Sequence, residues 1–370
     1  MTRTIGILTY HRADNFGAVL QAFALQRTIA GLGYSCSIVD YRDPQEGAHR
    51  LFRVPQSRSS TKHDILLLMN LRSHLTAHKR FDRFRSDYLL LTSQSYRSMN
   101  DLLQGNLSFD IYVSGSDQVW HPDLLDGPRG PVFFLEFVYG RRRVAYAPSF
   151  GLDKMPTQYR DRAARLIRRF DFLSAREDSG CAIIRELTGR KAELVLDPTL
   201  LGSATEYNTL AVEPSLRKPY ILLYPMQLSD RLRDLALKAR ASLKIPIVAV
   251  LPAFFEPWRF SFADKLVYNA GPAEFLGWMR TAAFVCTNSF HGTCFSIIYR
   301  KSFLSVPHLC YGTRVQSLLK RVDLLSRIVD EPDKVAFGDS RIGSLDYSPV
   351  KPLLQEAIDK SLGYLKRALA

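Results

Sequence analysis

The sequence lacks a long hydrophobic run. Its longest uninterrupted apolar stretches, such as Ile65–Met69, are much too short to cross a bilayer. No charged leader followed by an apolar stretch and a small-residue cleavage site opens the chain. We therefore expect a cytoplasmic protein.

Cysteine is scarce, and several well-known motifs are absent. The five cysteines form no CxxC pair, and each lies in an apolar stretch where a free thiol behaves as a small hydrophobe, so neither a disulfide nor a zinc site is expected. No Walker A segment, G-x-G-x-x-G, G-x-S-x-G or H-E-x-x-H occurs, which argues against P-loop ATP use, a Rossmann dehydrogenase and zinc hydrolysis. We expect no metal and no cofactor. The cysteines are Cys36, Cys181, Cys286, Cys294 and Cys310.

The composition is that of a globular protein with an excess of positive charge. Of 370 residues, 46% are hydrophobic and 23% charged, and this length favours two domains. The formal net charge is +14, and half of it lies in residues 48–97, where ten Lys or Arg face three Asp. Such a charge suits nucleic acid, an anionic membrane or a small anionic substrate.

The order of elements predicts two doubly wound α/β domains that face each other across a cleft. The chain opens with strand Thr4–Thr9, helix Gly17–Leu32 and strand Ser35–Asp40, a βαβ unit that implies a parallel sheet. We predict an N-terminal domain over residues 1–200, interrupted by a basic helical insertion at 48–97. A linker at 201–218, a C-terminal domain at 219–345 and a last helix at 349–370 follow.

The basic insertion has two interpretations. Residues 63–78 read as a helix, and Phe81, Phe84 and Tyr88 continue at helical spacing among basic residues. The apolar side of residues 63–88 either packs in the core or rests on an anionic membrane. No recognition fold surrounds it, so we do not expect nucleic acid as a partner.

Two strand-to-helix junctions in the N-terminal half carry polar residues, and parallel sheets bind ligands at such junctions. At the first, Asn15 lies at the mouth of a helix, where it either binds an anion or sugar hydroxyl or simply caps the helix. At the second, Ser116 and Asp117 either contact a ligand or form a capped turn. Trp120 either offers an apolar face to a sugar or lies in the core.

Two further junctions carry a cation and an imidazole. Arg176 ends a buried strand, where its guanidinium either faces the cleft as a carboxylate or phosphate clamp or pairs with neighbouring acids. His291 follows an apolar strand and opens a helix, so it can exchange a proton beside N–H groups that hold an anion. Arg314, after the next strand, is a second candidate anion clamp.

Taken together and in order, these segments resemble the polysaccharide pyruvyl transferase family. The resemblance runs from about residue 4 to residue 320. It is carried by Asp14–Gln21, Gly115–Trp120, Tyr146–Gly151, Arg176-Glu177 with Ser179-Gly180, Asp197-Pro198-Thr199, Ser289-Phe290-His291-Gly292 with Phe295-Ser296, and Gly312-Thr313-Arg314.

The resemblance implies a fold of two Rossmann-like domains similar to the glycosyltransferase B type, with the last helix packed back on the first domain. It also implies a reaction in which phosphoenolpyruvate donates a pyruvyl group to two hydroxyls of one sugar. A cyclic ketal forms and phosphate is released. The acceptor is a sugar, and a lipid-linked oligosaccharide is one candidate.

The candidate residues fit that chemistry. Arg176 and Arg314 are candidates to bind the carboxylate and phosphate of phosphoenolpyruvate, and His291 is the only histidine placed to protonate it. Family members often carry an arginine two residues before this histidine, whereas Ser289 stands here and is a candidate to bind the phosphate with helix N–H groups. Acceptor binding is predicted for Asn15, Ser116, Asp117 and Trp120.

The alternative function is that of a glycosyltransferase of the same two-domain type that uses a nucleotide sugar. Its architecture is equally compatible with the order of elements, so the fold cannot distinguish the two reactions.

Overall fold

A computed structural model of the chain describes residues 3–42, 71–126, 131–251, 257–307, 312–331, 335 and 338–370. Cys310 and the first part of the predicted helix at 63–78 lie outside these ranges. The four cysteines within them are free thiols.

The first half of the chain forms a parallel sheet of five strands. The strands are β1 (Thr4–Leu8), β2 (Ser35–Tyr41), β3 (Leu91–Tyr96), β4 (Ile111–Ser114) and β5 (Arg142–Ala145). They lie in the order β3-β2-β1-β4-β5, so the direction of winding reverses between β1 and β4. A ligand crevice forms at such a reversal, at the carboxyl ends of the strands.

The second half repeats this topology. Its strands are β8 (Ile221–Tyr224), β9 (Ile247–Val250), β10 (Lys265–Val267), β11 (Phe284–Thr287) and β12 (Ser302–Ser305). Their order is β10-β9-β8-β11-β12, all parallel, and the winding reverses between β8 and β11. The protein therefore has two Rossmann-like sheets, in agreement with the predicted fold class. The predicted domain limits stay predictions.

A short parallel pair extends the first sheet. It consists of β6 (Ser174–Ala175) and β7 (Glu193–Leu194), and a bridge between Val144 and Phe172 connects it to β5. The segments that follow β6 and β7 therefore open at the same edge as those that follow β1 and β4.

The helices cover these sheets and fill the space between them. They are α1 (Phe16–Gly31), α2 (Leu71–Tyr88), α3 (Met99–Gln104), α4 (Arg160–Ile167), α5 (Asp178–Thr188), α6 (Ala204–Leu210), α7 (Asp230–Leu243), α8 (Pro272–Thr281), α9 (Phe290–Ile298), α10 (Gly312–Arg321) and α11 (Val350–Leu369). None of the described helices is both long enough and apolar enough to cross a membrane.

Helix α1 lies at the contact between the two halves. Twelve of its sixteen residues are buried, so it is covered on nearly all sides, unlike an ordinary surface helix. The ring of Phe16 stacks on Phe275 of α8, with centroids 4.7 Å apart. The first turn of α1 is therefore held in place by a contact with the second half of the chain.

The last helix packs against strands of the first sheet. Tyr364 donates a hydrogen bond from its hydroxyl to the carbonyl of Ala145 in β5 (2.8 Å), and Ser361 accepts one from the backbone N–H of Leu196 (2.9 Å). The chain thus ends against the half in which it began.

Several elements differ from the sequence-based expectation. The segment predicted as a linker contains α6, which Ser203 caps in a capping box with Glu206. Strands β3 and β10 and helix α3 were not predicted, because short polar strands such as β3 lack the alternation that marks a half-buried strand. Helix α10 starts at Gly312, so Arg314, predicted to follow a strand, lies in the first turn of this helix.

The described part of the basic insertion begins with helix α2 and ends with strand β3. Phe81 and Phe84 of α2 are buried, and Phe81 stacks on Phe16 with centroids 5.3 Å apart. Burial of each such ring is worth about 1.5–3 kcal/mol. These two rings therefore face the core and not a membrane. Leu75 of the same helix is 38% exposed, and contact of residues 63–88 with a membrane stays a prediction. Tyr88 is partly exposed.

Arg85, also on α2, holds the loop that follows β1. Its buried guanidinium donates hydrogen bonds to the carbonyls of His11 (2.8 Å), Arg12 (2.8 Å) and Ala13 (3.0 Å), and it pairs with the carboxylate of Asp14. One basic residue of the insertion thus fixes the loop that leads into α1.

Candidate active site

The candidate site lies where the loops after β1, β4, β6 and β7 meet the first turn of α9. These loops carry Asn15, Ser116, Arg176 and Asp197 from the first half of the chain, and His291 opens α9 in the second half. The two reversals of winding face each other here.

Arg176 is the centre of a buried ionic cluster. Its guanidinium is 0% exposed, and Nη1 donates to Asp197 Oδ2 (2.8 Å) and to Ser116 Oγ (3.4 Å). Nη2 donates to Asp117 Oδ1 (3.3 Å), and Nε lies 3.7 Å from Glu177 Oε2. Because carboxylates surround its edges, the predicted role of Arg176 as an open anion clamp does not match this arrangement.

Asp197 is the most heavily coordinated of these carboxylates. Oδ1 accepts hydrogen bonds from the N–H (3.0 Å) and hydroxyl (2.7 Å) of Thr199, and Oδ2 accepts from Ser116 (2.7 Å) and Arg176. Burial alone would raise the pKa of Asp197, but His291 and Arg176 hold it well below its usual range. This carboxylate is therefore ionised at neutral pH.

His291 approaches the cluster from the other half. Its side chain is 9% exposed, and its Nε2 lies 3.6 Å from Asp197 Oδ2. Among the described residues, Nε2 has no hydrogen-bond partner at ordinary distance. A buried ring nitrogen without a hydrogen bond lowers the stability of the fold. Such a group is often retained because it has a functional role.

Gly17 makes the close approach of His291 possible. A Cβ atom added to Gly17 would lie 2.0 Å from Nδ1 of His291, well inside van der Waals contact. The imidazole therefore rests directly on the backbone at the start of α1, beside the positive end of that helix.

Phe290 joins the two halves next to His291. The guanidinium carbon of Arg176 lies 4.4 Å from the centroid of the Phe290 ring, a cation–π contact. Arg176 thus bonds to Asp197 on its edge and stacks on the neighbour of His291 on its face.

Asn15 and Ser289 both act as helix N-caps. Asn15 Oδ1 accepts a hydrogen bond from Ala18 N (3.1 Å), and Ser289 Oγ accepts one from Gly292 N (3.2 Å). Two helix N-termini, those of α1 and α9, are therefore presented to the same region, which favours an anion there.

Asp117 lies at the edge of the site, whereas Ser116 is fully buried behind it. Asp117 has a φ of 78°, a left-handed conformation that carboxamide and acidic residues tolerate, and its side chain is 17% exposed. Ser116 is 0% exposed, and its hydroxyl is donated to Asp197. The predicted contact between Ser116 and a sugar is therefore replaced by an internal hydrogen bond.

Trp120 is a core residue. It is 0% exposed, stacks on Phe134 with centroids 5.1 Å apart, and donates from its indole N–H to Ser114 Oγ (3.2 Å). The prediction that Trp120 offers a face to a sugar is wrong, because both the ring and its polar atom are occupied inside the N-terminal half.

Arg314 and Glu177 lie beside the cluster. Arg314 is half-buried in the first turn of α10, and its charge acts on Glu177. Burial raises the pKa of Glu177 despite Arg176 and Arg314, and its Oε2 has no hydrogen-bond partner among the described residues. In the described ranges, no group of three His, Cys, Asp or Glu is arranged to hold a metal ion.

The sequence assigned no role to Asp197 or Glu177, and it placed Gly17 with Asn15 at the mouth of a helix without relating it to His291. Asp197 had a signal, since Asp197-Pro198-Thr199 follows a predicted strand, but nothing in the sequence places it against His291. Glu177 was considered only as a partner for Arg176.

Solved structures share this architecture over nearly the whole chain. A Listeria monocytogenes protein assigned as a UDP-N-acetylglucosamine 2-epimerase has a TM-score of 0.50 at 10% identity, covering 98% of this chain and 91% of its own. MurG of Acinetobacter baumannii (0.47, 10%, 99% and 98%) and the UDP-GlcNAc 2-epimerase of Neisseria meningitidis bound to UDP-GlcNAc (0.48, 11%, 99% and 100%) are also similar. The fold is two Rossmann-like domains of the glycosyltransferase B type.

Residues 15–309 match the polysaccharide pyruvyl transferase family. This is more than half of the chain, and the protein belongs to that family. None of the curated proteins has a sequence that matches it.

Proposed function

We propose that this protein transfers a pyruvyl group from phosphoenolpyruvate to two hydroxyls of one sugar, forming a cyclic ketal and releasing phosphate. The observation that carries the proposal is the placement of His291. It is a buried imidazole in the first turn of α9 that also contacts the first turn of α1 at Gly17, and its Nε2 faces the carboxylate of Asp197 at 3.6 Å. Membership of the family supports the reaction class.

The proposed reaction begins with a proton from His291. The imidazolium gives its Nδ1 proton to the methylene carbon of phosphoenolpyruvate, since Nε2 faces Asp197. A sugar hydroxyl bonds to the neighbouring carbon and returns its proton to His291. The bond from that carbon to the phosphate oxygen then breaks. The second hydroxyl closes the ketal, and its proton leaves with the phosphate.

Positive potential for the trianionic donor comes from three sources in this proposal. Arg314 contacts the donor directly from the first turn of α10, and N–H groups in the first turn of α9 bind its phosphate. Arg176 contributes its charge while its edges stay bonded to the carboxylates. Asn15 and Asp117, at the rim, bind the sugar hydroxyls.

The test combines donor and acceptor in one assay. The purified protein is incubated with phosphoenolpyruvate and a panel of sugars and lipid-linked oligosaccharides, and released phosphate and the mass of the acceptor are measured. We expect phosphate to appear only with an acceptor that gains one pyruvyl ketal. Release of nucleotide from sugar nucleotides, with no phosphate from phosphoenolpyruvate, would instead support a glycosyltransferase.

His291→Gln tests the proton donor. Loss of a general acid lowers the rate about 10²- to 10⁴-fold. His78→Gln is the control, because that side chain is 56% exposed and lies on α2. Equal activity of the two variants would remove His291 from the mechanism.

A further inference from the structure

Asp197 and His291 belong to opposite halves of the chain. Asp197 follows β7 in the first half, whereas His291 opens α9 in the second. Their Oδ2 and Nε2 atoms are 3.6 Å apart, and both side chains are at least nine-tenths buried. The approach of these two groups is therefore a feature of how the halves are packed together.

The Asp197 carboxylate is held in place by hydrogen bonds from within the first half of the chain. Thr199 supplies two hydrogen bonds to Oδ1, and Ser116 and Arg176 supply one each to Oδ2. A carboxylate held by four donors keeps one orientation, so the position that it offers to His291 is also fixed. It faces Nε2 of the ring, whereas Nδ1 is the ring nitrogen nearest to Gly17.

Among the described residues, Asp197 is the carboxylate that lies within ion-pair distance of the imidazole. The charged groups around the imidazole are Asp197 after β7 and Arg176 after β6, while Asp117 and Glu177 reach the cluster through Arg176. Helix α1 contributes the backbone at Gly17, and α10 contributes Arg314 beside Glu177.

We infer that Asp197 is the positioning residue for His291: its carboxylate orients the imidazole across the contact between the two halves and stabilises the protonated ring. This inference rests on the proposed function for its catalytic meaning, because it supplies the acid that the first proton transfer requires. An aspartate that orients a histidine and stabilises its imidazolium is an established device in acid–base catalysis. Here the two partners come from different domains, so the acid is complete only when the halves are together.

The first experiment measures the ring and does not depend on turnover. The protein is labelled with ¹³C- and ¹⁵N-histidine, the His291 signal is identified by its absence in His291→Gln, and its titration is followed in the wild type and in Asp197→Asn. We expect the midpoint to move to lower pH in the variant, since the neighbouring negative charge is lost.

Asp40→Asn is the matched control. Asp40 is also buried and also bonds to a histidine and an arginine, His11 and Arg12, but within the first half. We expect this variant to leave the His291 titration unchanged. A titration of His291 that is the same in Asp197→Asn and the wild type would overturn the inference, whatever the protein catalyses.

The second experiment uses the pyruvyl transfer assay. Asp197→Asn should lower kcat about 10²-fold or more with little change in KM, and shift the limb of the pH profile that reports the protonated imidazole to lower pH. If the wild-type protein transferred no pyruvyl group, the proposed function would be overturned but the NMR result would stand. An active Asp197→Asn with an unshifted profile would overturn only the role of Asp197.

Thr199→Val covers the case in which Asp197→Asn does not fold. It keeps the carboxylate and removes the hydroxyl that donates to Oδ1, so the charge stays and the fixed orientation is weakened. We expect folded protein in which kcat falls several-fold and KM is unchanged. An unaltered kcat would show that the orientation of Asp197 has no role in His291 function and would contradict the inference.

Discussion

The imidazole of His291 lies on the backbone of Gly17, so close that an added Cβ would be 2.0 Å from Nδ1. The two residues are 274 positions apart and lie in the first turns of helices α1 and α9. Gly17 does not have a positive φ, so no backbone conformation requires glycine there. Space for the imidazole is the reason why this position carries no side chain.

Gly17→Ala should therefore displace His291 without unfolding the protein. Alanine favours helix over glycine by about 1 kcal/mol, which partly offsets the strain at the contact. We expect pyruvyl transfer to fall about 10²-fold or more, as when a catalytic group is misplaced by about 1 Å. Gly31→Ala, in the same helix with nothing within 4 Å, is the control and should keep full activity. Full activity of Gly17→Ala would mean that the imidazole can work from another position.

Arg314→Gln tests the proposed contact with the donor. Removal of a cation that binds the substrate and the transition state equally raises KM with little change in kcat. We expect KM for phosphoenolpyruvate to rise about tenfold or more, since a charge-assisted hydrogen bond is worth about 1.5–3 kcal/mol. Lys320→Gln, an exposed residue of the same helix, should leave KM unchanged. The same KM in both variants would place the donor elsewhere.

Arg85→Met tests whether the basic insertion supports the site from inside. The substitution removes the hydrogen bonds to three carbonyls of the loop before α1, and unsatisfied buried acceptors cost about 1–3 kcal/mol. We expect urea unfolding to show a loss of about 2–3 kcal/mol. Arg83→Met on the same helix removes an exposed pair with Asp87 and should cost less than about 1 kcal/mol. Equal losses in the free energy of unfolding would mean that Arg85 does not stabilise the loop before α1.

Trp120→Ala distinguishes the core from the acceptor site. Truncation of a fully buried tryptophan costs about 3–5 kcal/mol because it leaves a cavity. We expect this loss in the free energy of unfolding, whereas Trp258→Ala, with a side chain 56% exposed, should change stability little. If Trp120→Ala were stable and altered only KM for the sugar, the core placement of Trp120 would be contradicted.

The fold class followed from the sequence because βαβ periodicity is a local property. Strand β1 and helix α1 are read from apolar spacing, and both were predicted within one residue at each end. The strand β3 and the helix α6 were missed, because short polar elements are stabilised by their neighbours and not by their own pattern.

The site was predicted only as a set of candidate residues. Asn15, Ser116, Arg176 and His291 stand at strand ends, so their convergence on one region follows from topology. Their individual partners do not. Arg176 could have faced the cleft or its acidic neighbours, and the packing of Asp117, Glu177 and Asp197 around it decided the outcome.

By itself, the sequence determined the two parallel sheets and the position of His291 at the mouth of a helix, because periodicity and strand-end motifs are encoded over a few neighbouring residues. Only the tertiary structure decided what His291 meets. Asp197 and Gly17 reach it from the other half of the chain, and a contact between residues so far apart depends on how the two sheets pack, which no local pattern specifies.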